Sequence, residues 1–186
     1  ADAPRPVIPG CSEDVKFSSH AGKVGLRNLG NTCFMNAGLQ CLCHIEPLVA
    51  YFLNGEYEED INTTSPLSNN GELAQAFAEL QRALWLDEDS VHVPYALHRK
   101  LTQWAPHLFE AYQQQDVQEF LAFCLDGLHE DLNRVPKPPP PLAEEQELED
   151  DRLAEQHGEE FAAALTWRRH LERGKSFFVD LLQGQL

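Results

Sequence analysis

The chain has 186 residues, of which 42% are hydrophobic and 24% charged, so it is long and apolar enough for one globular domain with its own core. A formal net charge of −16 makes nucleic acid and anionic membrane poor partners for the fold as a whole. Five cysteines predict no disulfide framework, and no apolar run approaches the ~18 residues of a membrane span.

The N-terminal segment, residues 1–20, is irregular and contains prolines, which predicts an extended arm ahead of the domain formed by residues 21–186. It lacks the apolar stretch of a signal peptide, and the few cysteines fit a reducing compartment. We therefore expect a cytosolic or nuclear protein. The chain begins at Ala1 and its only methionine is Met35, so we expect a fragment or a processed chain.

Residues 25–42 join a turn-rich loop to a helix. The loop contains residue types that tolerate tight or left-handed backbone: Gly25, Asn28, Gly30 and Asn31. Cys33 then heads the helix, with Thr32 as its predicted cap. The partial positive charge at a helix N-terminus favours a thiolate, so a cysteine placed behind such a loop is typical of a nucleophile site.

The helix that follows is apolar nearly all round, which predicts a buried central helix. Its polar residues are spaced by four and form one stripe: Thr32, Asn36, Gln40 and His44. Free cysteines are often buried, so a core role for Cys33 stays open at this point. Cys41 and Cys43 point to different sides of the helix, and Cys41 is about 12 Å from Cys33, so we predict core fillers and no metal site.

The same stretch closely resembles the cysteine box of the ubiquitin-specific proteases, a family of papain-like deubiquitinases. The match is unbroken from Gly25 through Asn36 and continues at Leu39, Gln40 and Leu42, whereas Ala37 and Gly38 depart from the family pattern. The resemblance implies that Cys33 is the nucleophile and that Asn28 helps form the oxyanion hole. A donor there stabilises the negative charge of the tetrahedral intermediate.

Two amphipathic helices are predicted next along the chain. Residues 71–86 carry an apolar stripe, and Asn70 is the predicted cap of this helix. A second helix opens at Pro94 and ends before Pro106.

Residues 113–133 predict a third helix, for which Asp116 and Glu119 form a capping-box pattern. The segment also resembles the glutamine-aspartate box of the same protease family, centred on Gln114, Asp116, Gln118 and Glu119. In that family the box contacts the C-terminal tail of ubiquitin, and a carboxylate suits the arginines of such a tail. Capping and substrate binding both remain open for Asp116.

The last third of the chain combines several patterns. Residues 135–143 are proline-rich and predict a stiff extended linker. Residues 144–151 are acidic and predict a solvated insertion that is disordered at its start. Residues 153–172 predict one helix, weakened at Gly158. In residues 176–186, Phe177, Val179 and Leu181 alternate as in a strand, which by the resemblance starts the β-rich fingers.

The resemblance implies an α+β papain-like fold, of which this chain is the mainly helical, thumb-like half. It also implies a thiol-dependent deubiquitinase that binds ubiquitin or ubiquitinated proteins and needs no cofactor. A cysteine hydrolase needs a base, yet none of the eight histidines lies in a context like the family's histidine box. We therefore expect the 186 residues alone to be inactive. The alternatives are a non-catalytic interaction module and, more weakly, a redox-active thiol protein.

Overall fold

The computed structural model describes residues 7–109 and 113–184, and within these ranges the chain is predominantly helical, as predicted. The α-helices are α1 (Cys33–Leu42), α2 (Glu46–Leu53), α3 (Glu72–Trp85), α4 (Tyr95–Trp104), α5 (Val117–Asp131), α6 (Glu144–His157), α7 (Glu159–Arg173) and α8 (Phe177–Leu182). Two short parallel strands, β1 (Gly25–Leu26) and β2 (Val91–His92), pair Gly25 with Val91 and Leu26 with His92. None of the helices in the described ranges has the length and apolar character to cross a membrane.

Helices α1, α2, α3 and α5 enclose one apolar core. The predicted stripe of α3 is confirmed, since all its members are buried: Leu73, Ala76, Phe77, Leu80 and Leu84. The Phe77 ring lies 5.0 Å from that of Phe52 in α2, and the Phe34 ring of α1 lies 5.8 Å from that of Phe120 in α5. Burial of such a side chain contributes about 1.5–3 kcal/mol, so the first pair holds α2 against α3 and the second holds α1 against α5.

The predicted cap of α3 is wrong. Asn70 and Gly71 both have positive φ, 55° and 78°; Gly71 occupies the N-cap position, and α3 has no side-chain hydrogen bond from its N-cap. The free amides of the first turn are instead bound by Asp131, the last residue of α5, whose Oδ2 accepts from Leu73 N at 2.9 Å and Ala74 N at 3.1 Å. The N-terminus of α3 is thus capped by a residue that is distant in sequence.

The predicted strand at the end of the chain is also wrong, because Phe177–Leu182 forms the helix α8. The segment is apolar at almost every position, so its pattern fits both the side-chain period of a helix and that of a strand. Ser176 decides between them: it is fully buried, and its Oγ accepts from Val179 N at 3.3 Å as an N-cap. Phe178 and Val179 are then buried against the body of the protein.

A charged cluster holds α8 in place. Arg134 donates two hydrogen bonds to Asp60, at 2.9 and 2.7 Å, and one to Asp180 of α8 at 3.1 Å. Tyr51 donates to Asp60 at 2.7 Å, and its ring stacks on Phe177 at 4.1 Å. Burial alone would raise the pKa of the Asp60 carboxyl, but the bonds from Arg134 and Tyr51 outweigh burial and lower it.

The acidic segment predicted to be disordered at its start is helical from Glu144. Carboxylates in a first turn interact favourably with the helix dipole, and most residues of α6 are good helix formers. No residue of α6 is buried, as expected for a solvated insertion, although Asp150 accepts from Arg169 of α7 at 3.1 Å. The single helix predicted for residues 153–172 is broken at Gly158, whose φ is 85°, so that α6 and α7 are separate helices.

We expect the free energy of unfolding to fall as the pH is lowered from 7 to about 5. Burial lowers the pKa of His92, His98 and His129 below the ordinary value of 6.5. As the pH falls through 6.5, the unfolded chain takes up protons that the folded chain does not, so stability is lost in this window. Urea unfolding at a series of pH values measures the slope. His98→Gln should reduce it. A flat profile would contradict the prediction.

Candidate active site

The loop before α1 is folded around the side chain of Asn28. Its Oδ1 accepts three hydrogen bonds, from Gly30 N at 2.8 Å, Thr32 N at 3.2 Å and Thr32 Oγ1 at 3.2 Å. Thr32 Oγ1 in turn accepts from Leu29 N at 2.9 Å, so the Thr32 side chain closes the loop. The prediction that it caps α1 is wrong, because it makes no hydrogen bond to the first turn of the helix. These bonds orient the amide through its acceptor, Oδ1. Its donor group, Nδ2, takes no part in them and can donate to a ligand.

The predicted polar stripe of α1 is confirmed, and it binds the preceding loop. Asn36 Nδ2 donates to the carbonyl oxygens of Leu26 and Arg27, both at 3.2 Å. Gln40 Nε2 donates to the carbonyl oxygen of Val24 at 3.0 Å. These bonds attach the backbone next to Asn28 directly to the helix that begins with Cys33. The position of the loop relative to the cysteine is therefore fixed by the fold.

Cys33 is the first residue of α1, and its side chain is exposed. Its Sγ donates a hydrogen bond to Gln114 Oε1 over 3.0 Å, although the two residues are 81 positions apart in the chain. The core role that the sequence left open for Cys33 is thus wrong. Cys41 is exposed as well, so of the predicted core fillers only Cys43 is buried.

Close packing of α1 against α5 brings these residues together. A Cβ at Gly38 would lie 2.9 Å from the Phe120 ring of α5, closer than real Cβ contacts allow, and 3.2 Å from Leu121, which is tighter than most. The absence of a side chain at position 38 therefore lets the Phe120 ring lie directly against α1. This explains how the chain accommodates its departure from the family pattern at Gly38.

The predicted N-cap of α5 is confirmed. Asp116 Oδ1 accepts from Gln118 N at 2.6 Å, and Asp116 itself has extended backbone. The second bond of the predicted capping box, from Asp116 N to the Glu119 side chain, is not among the hydrogen bonds of the described residues. Gln114, Asp116 and Gln118 are all exposed at or just before the start of α5. Of these three, Gln114 is hydrogen-bonded to Cys33. The Asp116 cap uses Oδ1, so its Oδ2 can accept a further bond.

Asp116→Ala is expected to lower the free energy of unfolding by about 1 kcal/mol, because the first turn of α5 loses its side-chain acceptor. Chemical denaturation of the two proteins measures the difference. Asp116→Asn is the matched control, since asparagine is an equally good N-cap and should cost only a few tenths of that. Equal losses in the two variants would contradict the capping role.

A small hollow of about 160 Å³ lies behind the Asn28 loop. Its lining residues are Leu29, Gly30, Asn31, Thr32, Phe34, His98, Thr102, Phe109 and Gln113. Burial lowers the pKa of His98, so the neutral imidazole is favoured there. The sequence does not predict that this α4 residue approaches the loop, because the contact depends on how α4 packs.

No histidine within the described residues is hydrogen-bonded to Cys33. The Nδ1 atom of His129 lies 2.8 Å from Ser176 Oγ, near the C-terminus of α5. His129 is twelve residues beyond Val117, which places it about 18 Å along the helix axis from the first residue of α5. The ring of His170 contacts Gln183 at 2.8 Å. Neither of these half-buried or exposed histidines is placed to accept the proton of Cys33.

Helix α1 is buried on one side only, because Cys33, Ala37 and Cys41 are exposed, so the predicted burial on all sides is wrong. An exposed cysteine at the head of this helix, a hydrogen-bonded loop beside it with an amide donor, and polar side chains at the start of α5 are the features of one half of a thiol hydrolase site. Residues 24–186 match the family model described as ubiquitin carboxyl-terminal hydrolase. The chain therefore belongs to the ubiquitin carboxyl-terminal hydrolase family, which confirms the resemblance to ubiquitin-specific proteases.

Curated relatives agree with this assignment. The chain is 43% identical over 173 residues to ubiquitin carboxyl-terminal hydrolase 15 of Homo sapiens, with 93% of the chain covered. It is 47% identical over 165 residues, 88% of the chain, to ubiquitin carboxyl-terminal hydrolase 10 of Arabidopsis thaliana. It spans 17% of the length of each of these relatives. Among solved structures, the chain is similar to one in the SAGA Ubp8/Sgf11/Sus1/Sgf73 DUB module bound to ubiquitin aldehyde. The alignment covers 60% of the present chain and 25% of the solved chain, with 24% sequence identity and a TM-score of 0.48.

Proposed function

We propose that the protein is a thiol-dependent deubiquitinase that hydrolyses the isopeptide bond after the C-terminal glycine of ubiquitin. The observation that carries the proposal is the placement of Cys33, exposed at the N-terminus of α1 and bordered by the Asn28 loop on one side and by Gln114 on the other. The family assignment supports the substrate class, since the matching model is that of ubiquitin carboxyl-terminal hydrolases.

The proposed reaction begins with attack of the Cys33 sulfur on the carbonyl carbon of the last glycine. An S–C bond forms, and the carbonyl oxygen becomes an oxyanion, to which Asn28 Nδ2 donates. Collapse of this intermediate expels the lysine amine, which must receive a proton from a general acid. Water then hydrolyses the thioester. We assign the acid and base role to a histidine outside residues 1–186, in keeping with the much greater length of the relatives.

The end of α5 is the proposed site for the C-terminal tail of ubiquitin. The Oδ2 of Asp116, which the cap does not use, can accept from an arginine of the tail, and such charge-assisted bonds are strong. Gln118 is exposed on the first turn of α5 and can contribute further hydrogen bonds. We also propose a cytosolic or nuclear location, because five free thiols suit a reducing compartment.

Hydrolysis of ubiquitin carrying a fluorogenic C-terminal amide tests the proposal. The protein at the full length of its relatives should release the fluorophore. If that protein binds ubiquitin but releases nothing, the non-catalytic interaction module is the correct function. If it neither binds nor hydrolyses ubiquitin, the proposed substrate is wrong.

A further inference from the structure

The contact between Cys33 and Gln114 carries chemical information about the resting state of the site. Sγ and Oε1 are 3.0 Å apart, a short separation for a bond involving sulfur. An amide oxygen can only accept a hydrogen bond, so the proton of this bond belongs to sulfur. The contact therefore exists only while Cys33 is a thiol.

The position of Gln114 is set by the packing of two helices. It precedes Asp116 by two residues, and the cap formed by Asp116 fixes where α5 begins. The start of α5 is in turn held near Cys33 by the close approach of Gly38 and Phe120. The bond is thus built into the α1–α5 interface, although both side chains are exposed to solvent.

We propose that Gln114 is a positioning residue for the nucleophile, which holds the Cys33 sulfur as a thiol against the end of α5 until the base removes its proton. This role differs from the contact with the ubiquitin tail that the family resemblance implies for Gln114. The inference rests on the proposed function in taking Cys33 as the nucleophile.

Ionisation of Cys33 breaks this S–H···O bond. If the amide instead turned and donated to the thiolate from Nε2, Gln114→Met would be alkylated more slowly than the unmodified protein, which would overturn the inference. A thiolate has no proton to donate, and the amide oxygen would then face a negatively charged sulfur. Removing the amide oxygen should therefore favour the thiolate wherever thiol and thiolate are in equilibrium. Alkylation by iodoacetamide reports on this balance: the thiolate sulfur forms a bond to the methylene carbon, iodide leaves, and the thiol proton has already passed to solvent.

The decisive variant is Gln114→Met, which keeps the length of the side chain and removes its polar atoms. The rate of Cys33 alkylation, followed by mass spectrometry from pH 5 to pH 11, should rise about two- to fivefold at neutral pH, as expected for the loss of one ordinary hydrogen bond. At high pH, where every thiol is ionised, the two rates should converge. Gln75→Met, at an exposed position of α3, is the matched control and should follow the unmodified protein.

Gln114→Glu gives a second and opposite readout. Its carboxylate also accepts from the thiol but repels the thiolate, so Cys33 should be alkylated more slowly than in the unmodified protein at neutral pH. An equal rise at every pH in Gln114→Met would show that the methionine merely opens access and would overturn the inference, as would unchanged rates in both variants. If Cys33 is alkylated no faster than Cys41, the nucleophile of the proposed function is wrong, a separate outcome.

Discussion

Asp131→Ala is expected to lower the free energy of unfolding by about 3–5 kcal/mol, enough to unfold a marginally stable domain. The carboxylate is fully buried. Its Oδ2 accepts from Leu73 N and Ala74 N, and its Oδ1 from Asn69 N at 2.7 Å and Ser68 Oγ at 3.0 Å. Each buried donor left without an acceptor costs about 1–3 kcal/mol, and two of these donors are backbone amides in the first turn of α3.

The effect should extend beyond one helix end. Asp131 is the last residue of α5, and Asp116 and Gln114 lie just before its first turn. Through Asp131 the N-terminus of α3 is bound to the C-terminus of α5, so this carboxylate fixes the element that lies opposite Cys33. Loss of the bond should therefore disturb the half-site as well as the core.

Urea denaturation of Asp131→Ala, Asp131→Asn and Asp126→Ala measures the cost. Asp131→Asn keeps the size of the side chain but presents an NH₂ group to backbone donors, so it should also lose most of the stability. Asp126 is exposed on the same helix, and its replacement should change the free energy by no more than about 0.5 kcal/mol. A loss below 1 kcal/mol in Asp131→Ala would show that water replaces the carboxylate and that the cap is dispensable.

Local patterns predicted the features that depend on one helix. The spacing by four of Asn36 and Gln40 predicted a polar stripe, and the structure shows what the stripe binds. The apolar stripe of α3 and the cap at Asp116 were also correct, because each depends on side chains within one or two turns. The cysteine at a helix N-terminus belongs to the same class of prediction.

Features that depend on distant contacts were not predictable in this way. Asp131 lies 57 and 58 positions from the amides that it caps, and Gln114 lies 81 positions from Cys33. The error at α8 has a different cause: a short segment that is apolar throughout fits both helix and strand, and only burial of Ser176 decides. In each case the structure depends on contacts between residues that are distant in the chain, and the spacing of residues along the sequence does not predict such contacts.

Cys33→Ala in the full-length protein is expected to lower kcat for ubiquitin hydrolysis by about 10⁴-fold or more, the loss seen when a covalent nucleophile is removed from an acyl-transfer enzyme. Ubiquitin binding should change little, because the end of α5 that is proposed to hold the tail is untouched. Cys41→Ala is the control, since Cys41 is an exposed thiol on the same helix about 12 Å away. It should retain full turnover.

The same assay applied to residues 1–186 alone tests whether Cys33 can turn over substrate without the proposed general acid and base. Without an acid to protonate the departing amine, a factor of about 10²–10⁴ is lost, so turnover should be negligible although Cys33 is intact. No histidine of the described residues is bonded to Cys33, and His129 is held by Ser176 at the far end of α5. Robust turnover by the short chain that disappears in Cys33→Ala would contradict this prediction. It would mean that a histidine already present reaches the sulfur, and His98, in the hollow behind the Asn28 loop, would be the first to replace.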